Sequence, residues 1–315
     1  MSRWRDVVRI HRLEYPFPVH YLCHAVLGAC YAANNVHQLF TGPVLLSIIA
    51  NLLSIVGGNP LNAAVDISTD ACNQGKRDIA HAALQLGRHH AMGWTATEMT
   101  FALAAATATS LWLDRALIAV GVALTIALCL LYNLEPVRLK RRGLANPITI
   151  ALTTGLLPSL VSYSAVRPDL TVSTWLIFIG VGVLITGRAL WWTVPDQIGD
   201  NATGMTTPAI RYGASQAILI ACDATVVGLG LLGGGLWWRY GPPWALLGVA
   251  VSVPFLLSKL ALLRRLPNCA LPNRALPNDR ALPNTALPNP TQMRRRELSS
   301  VMIADVILVL LPLVA

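Results

Sequence analysis

The sequence predicts an all-α membrane protein with nine transmembrane helices, its N-terminus inside and its C-terminus outside. Three observations carry that prediction. Of 315 residues, 54% are hydrophobic and only 12% charged, with a mean hydropathy of +0.54; a soluble domain carries about 25% charged residues. This deficit excludes an ordinary soluble globule and a disordered chain. Next, nine stretches approach the run of about 20 apolar residues that a bilayer core requires. Finally, the basic residues fall in alternate connections. A net charge of +9 would suggest nucleic acid in a soluble protein, but here inner loops beside anionic lipid account for it, and no nucleic-acid partner is expected.

The first 18 residues are polar and Arg-containing, and no A-x-A exit follows the next apolar stretch, so residues 19–34 are expected to stay as a membrane helix. This first span is the most polar, interrupted by His20, His24, Asn34 and Asn35. The others run over 43–64, 93–113, 115–134, 148–166, 171–194, 214–237, 243–263 and 298–315. With an inner N-terminus, the inner segments hold Arg3, Arg5, Arg9 and Arg12, then Lys76, Arg77 and Arg88. Arg138, Lys140, Arg141 and Arg142 follow, then Arg188 and Arg211, and the last inner loop and its flanks run from Lys259 to Arg296. Among the 24 basic residues only Arg115, Arg167 and Arg239 fall elsewhere. An even number of spans would destroy this segregation. The chain thus reads as a single polytopic domain over 1–315. Within it, residues 266–290 repeat the unit LPN five times. Proline at that density forbids a helix, so an extended, cytoplasmic linker is expected there. The six cysteines form no CxxC pair and read as small apolar filler. The glycines at 233–235 read as a site of close helix packing.

Acidic residues at span ends are functional candidates, because charge is expensive at membrane depth. Two places stand out. After the second span come Asn62, Asp66 and Asp70, followed by Lys76-Arg77-Asp78; after the sixth come Asp196 and Asp200, followed by Arg211. Spacings of four place each set along one face of a continuing helix. Like charges four apart repel unless a cation sits between them, and hard carboxylate oxygens suit Mg²⁺ together with substrate phosphates. Between the two sets lies Tyr132-Asn-Leu-Glu-Pro136-Val-Arg138-Leu-Lys140-Arg-Arg-Gly143. In an extended segment Arg138 and Lys140 would project to the same side, toward whatever anion the aspartates hold. Arg141 and Arg142 read as topology-fixing charge.

These motifs, in this order, resemble those of the UbiA superfamily of intramembrane prenyltransferases, whose members carry NDxxDxxxD, YxxxPxRxKxxG and DxxxD segments. The resemblance covers nearly the whole chain. It implies a helical bundle around a central cavity beneath a cytoplasmic cap, in the cell (inner) membrane, with a prenyl diphosphate held through Mg²⁺. Carried over by position, Asn62, Asp66 and Asp70 take the first motif and Asp196 and Asp200 the second. The four aspartates are then the metal ligands, and all five residues are catalytic. Lys76, Arg138, Lys140 and Tyr132 would contact substrate. One departure is Ala63, where the family usually has Asp.

The implied chemistry is ionisation of an allylic diphosphate, with metal and cationic side chains neutralising the leaving group and a greasy cavity excluding water. Tyr132, Trp191 and Trp192 have faces able to stabilise a cation, although packing or an interfacial belt explains them equally simply. Capture by an acceptor, most often an aromatic ring in this family, gives a prenylated product. Capture within the prenyl chain itself, as in membrane terpene cyclases, is the alternative. A transporter fits poorly, because the acidic pairs gather at one face. Glu98, Asp223 and Asp305 are interior acids that the motifs do not explain.

Overall fold

The computed structural model describes residues 3–73, 75–265 and 290–315. Among these residues every regular element is a helix. In chain order they are α1 (Arg3–Ile10), α2 (Phe17–Ala32), α3 (Gly42–Val65), α4 (Ile67–Cys72), α5 (Arg77–Leu86), α6 (Arg88–Leu113) and α7 (Ala116–Asn133). There follow α8 (Ala145–Ala151) and α9 (Leu157–Val166), joined through a π-helical turn at Leu152–Leu156, and then α10 (Val172–Trp192), α11 (Gln197–Ala202), α12 (Pro208–Tyr212) and α13 (Ala214–Tyr240). The last are α14 (Pro242–Ala250), α15 (Val253–Arg265) and α16 (Pro290–Val314). Each of the nine predicted apolar stretches falls on one helix or one broken helix. By length and composition, six of them can cross a membrane, or seven if the pair α14–α15, bent by 43°, counts as one. The other two fall short for visible reasons: α2 has 16 residues, and α6 carries Glu98 among repeated threonines. The LPN repeat lies outside the described residues.

Large apolar side chains point outward from these helices, among them Leu111 at 79% and Trp238 at 68% exposure. A water-soluble surface does not carry such patches, and the outward face is one suited to lipid. Inside, several helices approach closely where glycine removes the side chain. A Cβ on Gly28 of α2 would stand 1.8 Å from the Ser159 carbonyl oxygen of α9. A Cβ on Gly180 of α10 would stand 2.6 Å from the Leu232 backbone nitrogen of α13. The glycine run divides its work: Gly235 meets the Ser173 carbonyl, Gly233 meets Val249, and Gly234 faces open space.

The three basic residues outside the predicted inner set gather at one end of the bundle. Arg239 donates to the Tyr31 carbonyl at 2.7 Å and to the Thr174 hydroxyl at 2.8 Å, Arg115 donates to the Ser164 carbonyl at 2.6 Å, and Arg167 pairs with Asn34. The acidic motifs occupy the opposite ends of the same helices. Glu98 is also explained: its Oε1 lies 3.0 Å from His11 Nε2, which ties the segment after α1 to α6.

Candidate active site

The first acidic segment departs from a continuous helix. α3 ends at Val65, Asp66 adopts φ −103° and ψ 16°, and α4 restarts at Ile67. Aspartate competes with helix bonding through its own side chain and favours such breaks. The backbone spacing nevertheless survives, because the Asp66 N–H donates to Asn62 O at 3.0 Å and the Asp70 N–H to Asp66 O at 2.8 Å. The second segment is built alike. After α10 a turn leads to Asp196 at the N-cap of α11, and the Asp200 N–H donates to Asp196 O at 3.0 Å.

The two segments meet. Lys76 Nζ lies 2.7 Å from Asp196 Oδ2 and 3.9 Å from Asp70 Oδ1, so one ammonium serves both motifs. Asn73 Nδ2 donates to Asp196 Oδ1 at 2.7 Å, and the Thr69 hydroxyl donates to that of Thr203 at 3.1 Å. The backbones are nearly in contact, since a Cβ on Gly199 would sit 3.1 Å from Thr69 O.

Arg138 and Lys140 reach this centre by a different route from the extended one expected. Arg138 is left-handed (φ 38°, ψ 65°), and a 3₁₀ turn follows over Leu139–Arg141. The left-handed region is costly for a residue with a Cβ, and the ionic contacts at Asp66 hold Arg138 there. Arg138 Nη2 and Lys140 Nζ lie 3.0 and 2.7 Å from the same Asp66 Oδ1. Lys140 also donates to Asn62 Oδ1 and Asn133 Oδ1, both at 3.3 Å. Arg141 pairs with Glu135, and Arg142 with the Val137 and Pro136 carbonyls, away from the centre.

Below lies a cavity of about 350 Å³. Its polar mouth is formed by Asp66, Asp196, Asp200, Lys76, Lys140 and Asn62. Its deeper wall includes Ile55, Ile150, Ile185, Leu298 and Val301. Tyr132 lines it, its hydroxyl 3.3 Å from Asn146 Oδ1. Asp70 and Arg138 do not line it: Asp70 reaches it through Lys76, and Arg138 stands behind Asp66. Trp192 lines the cavity, whereas Trp191 does not. Trp191 is fully buried, donates from Nε1 to Glu297 at 2.5 Å and has Lys259 Nζ 3.7 Å above its ring; its π face is already occupied.

Burial dominates the electrostatics of the mouth. It pushes the Asp200 carboxyl up to about 7, with the Asp196 charge adding to the effect and Lys76 opposing it. It also raises Asp70, against the pull of Lys76, and lowers Lys140, against Asp66. Asp70 Oδ2 is buried without a hydrogen-bond partner. An orphaned carboxylate oxygen, together with a carboxyl whose ionisation is resisted by burial and by Asp196, is a place that a cation would satisfy. The donors are all hard oxygens, which fit Mg²⁺.

Sequence reasoning overlooked several residues. Thr207 donates to Asp200 Oδ2 at 3.0 Å, and Asn73 fixes Asp196. Arg12 was legible only as topological charge, yet it lines the cavity and its buried Nε has no hydrogen-bond partner.

Such a bundle, with two acidic helix ends sharing a lysine above an apolar chamber, is that of an intramembrane protein suited to an anionic headgroup with a long apolar tail. The chain belongs to the UbiA prenyltransferase family, whose profile matches residues 21–275. It is 24% identical over 187 residues, 59% of its own length, to a digeranylgeranylglyceryl phosphate synthase of Methanobrevibacter smithii. It is 24% identical over 211 residues, 66% of its length, to the enzyme of that name from Metallosphaera sedula. The chain spans 64% of the first relative's length and 71% of the second's. The fold is similar to that of a UbiA homolog from Archaeoglobus fulgidus bound to DMAPP and Mg²⁺, with a TM-score of 0.70, 14% identity and coverage of 97% of this chain and 96% of that one. The same homolog bound to GPP and Mg²⁺ gives a TM-score of 0.67, with 14% identity and 98% coverage of both chains.

Proposed function

We propose that the protein catalyses Mg²⁺-dependent transfer of a prenyl group from a prenyl diphosphate to an acceptor bearing an anionic group. The observation that carries this reading is Lys76 bridging Asp70 and Asp196 at the mouth of an apolar chamber. Asp66, Asp70, Asp196 and Asp200 would hold Mg²⁺, with Asn62 beside them. When bound, the ion supplies Lewis-acid neutralisation of the departing diphosphate.

The chain's own residues do the rest. Lys76 and Lys140 add positive charge where negative charge develops on the leaving group. Arg138 fixes Asp66 from behind. The Ile55, Ile150 and Ile185 wall excludes water from the allylic cation, and the faces of Tyr132 and Trp192 stabilise it. Arg12, with its unpartnered Nε, would receive the anionic group of the acceptor. That suits a glyceryl phosphate, the product class for which both sequence relatives are named, and we favour it over the aromatic ring expected from sequence. An aromatic acid would meet the same guanidinium. Nine spans with the site facing the cytoplasm complete the reading.

The second reading, acceptor-free cyclisation, rests on the same donor site and lacks a use for Arg12. Purified protein supplied with geranylgeranyl diphosphate and Mg²⁺ separates the two. Diphosphate release with a prenylated product only when geranylgeranylglyceryl phosphate or 4-hydroxybenzoate is added is the expected result. A cyclic hydrocarbon formed without either acceptor would refute transfer.

A further inference from the structure

Away from the acidic mouth, a second polar cluster is buried in the cavity wall where α2, α10 and α16 meet. His20 Nδ1 lies 2.6 Å from Asp305 Oδ2, and the other oxygen of that carboxylate lies 2.9 Å from Arg188 Nη1. His24 packs edge-on against His20 with ring centroids 4.4 Å apart, and its Nε2 is 3.7 Å from Asp305 Oδ2. Asp305 is only 4% exposed. His20 keeps 22% side-chain exposure, and both it and Arg188 line the cavity that Asp66, Asp196 and Asp200 close.

The geometry assigns a tautomer. Asp305 pairs with the Arg188 guanidinium, a neighbour that favours the ionised carboxylate, and an ionised carboxylate can only accept. The hydrogen between it and His20 then belongs to Nδ1, and in the neutral imidazole that places the lone pair on Nε2. An imidazole held this way by a buried carboxylate is oriented as a general base. The three ligand-type side chains also lie close enough for a metal ion, with donor atoms within 4.8 Å of one another. Arg188, however, already pairs with the carboxylate, which leaves it less charge to offer a metal ion.

We propose that His20 is the base that removes the acceptor's proton during prenyl transfer, with Asp305 and Arg188 as its positioning residues. This inference rests on the transferase reading above. In that reaction the allylic C–O bond breaks and its electron pair leaves with diphosphate. An acceptor oxygen (or a ring carbon) donates a pair to the allylic carbon, and the new bond forces loss of one proton. His20 Nε2 takes that proton, Asp305 stabilises the resulting imidazolium, and the proton later passes to diphosphate or water. Without the base the protonated adduct reverts, and water collects the cation as prenyl alcohol.

The test uses the full chain in lipid nanodiscs with Mg²⁺, geranylgeranyl diphosphate and each of two acceptor probes, geranylgeranylglyceryl phosphate and 4-hydroxybenzoate. The readout is the ratio of prenylated product to diphosphate released. His20→Gln should lower that ratio about 100-fold, with prenyl alcohol making up the difference. Asp305→Asn, which keeps His20 but loses the fixed tautomer, should lower it in the same direction. An unchanged ratio in His20→Gln, or transfer and diphosphate release falling in parallel, would overturn the assignment. Wild-type protein that releases no diphosphate refutes the donor-site reading, and wild-type protein that releases it but prenylates neither probe refutes transfer; in both cases the base role falls too.

Discussion

Asp200→Asn should leave a folded protein that no longer turns over. Asp200 sits in the mouth, 5% exposed, hydrogen-bonded by Thr207 and forced up to about 7 by burial and by Asp196. The amide keeps the size and the Thr207 contact but gives up the charge that would hold the metal. Removing one preorganised electrostatic element of a transition state costs about 10²–10³-fold in rate, and loss of the ion itself costs more. Stability moves the other way. Because the folded pKa lies above the ordinary aspartate value, the wild-type protein holds this proton more tightly when folded. The stability this confers is complete below about pH 4 and is lost as pH rises through about 7. The asparagine variant has no ionisation to resist. Without Mg²⁺ its apparent Tm should exceed that of wild type at pH 8 and converge with it near pH 4. A variant less stable than wild type at pH 8 would show that the carboxylate is satisfied within the protein and not waiting for a cation.

Asp66→Ala should lose both activity and stability. Asp66 Oδ1 accepts Arg138 at 3.0 Å and Lys140 at 2.7 Å, with Lys140 2% exposed. Removing the shared carboxylate leaves two buried cations side by side. Breaking a buried pair by deleting one partner typically costs about 3–5 kcal/mol, and Arg138 also loses the contact that holds its left-handed turn. The pair of variants therefore separates metal binding from scaffolding. Both should be inactive, while only Asp66→Ala should show a lowered apparent Tm at neutral pH. Equal stability of the two would mean that Arg138 and Lys140 find other partners.

Much of the candidate site is legible in the sequence. Segregated basic residues imply which ends of the helices share a face, so Asp66 and Asp196 had to lie at the same end. Spacings of four survive a helix break because the backbone bonds from Asp66 and Asp70 do. What spacing does not encode is the break itself, or the left-handed turn at Arg138, which depends on a carboxylate 72 residues away. Trp191 and Trp192 show the limit sharply. Neighbours on a helix point about 100° apart, and only the position of Lys259 and Glu297 decides that they meet Trp191. His20 and Asp305 belong to the first and last predicted spans, 285 residues apart, and each alone reads as a polar flaw in an apolar run.

In the proposed site neither acidic segment suffices alone, and the two together would hold one cation and its diphosphate. Mn²⁺ paramagnetic resonance tests it directly, with purified protein, inorganic diphosphate and Mn²⁺ in place of Mg²⁺. Wild type should bind the ion more tightly when diphosphate is present, and Asp70→Asn and Asp196→Asn should each abolish that binding. Full-strength binding in either variant would mean that the ion belongs to one segment alone.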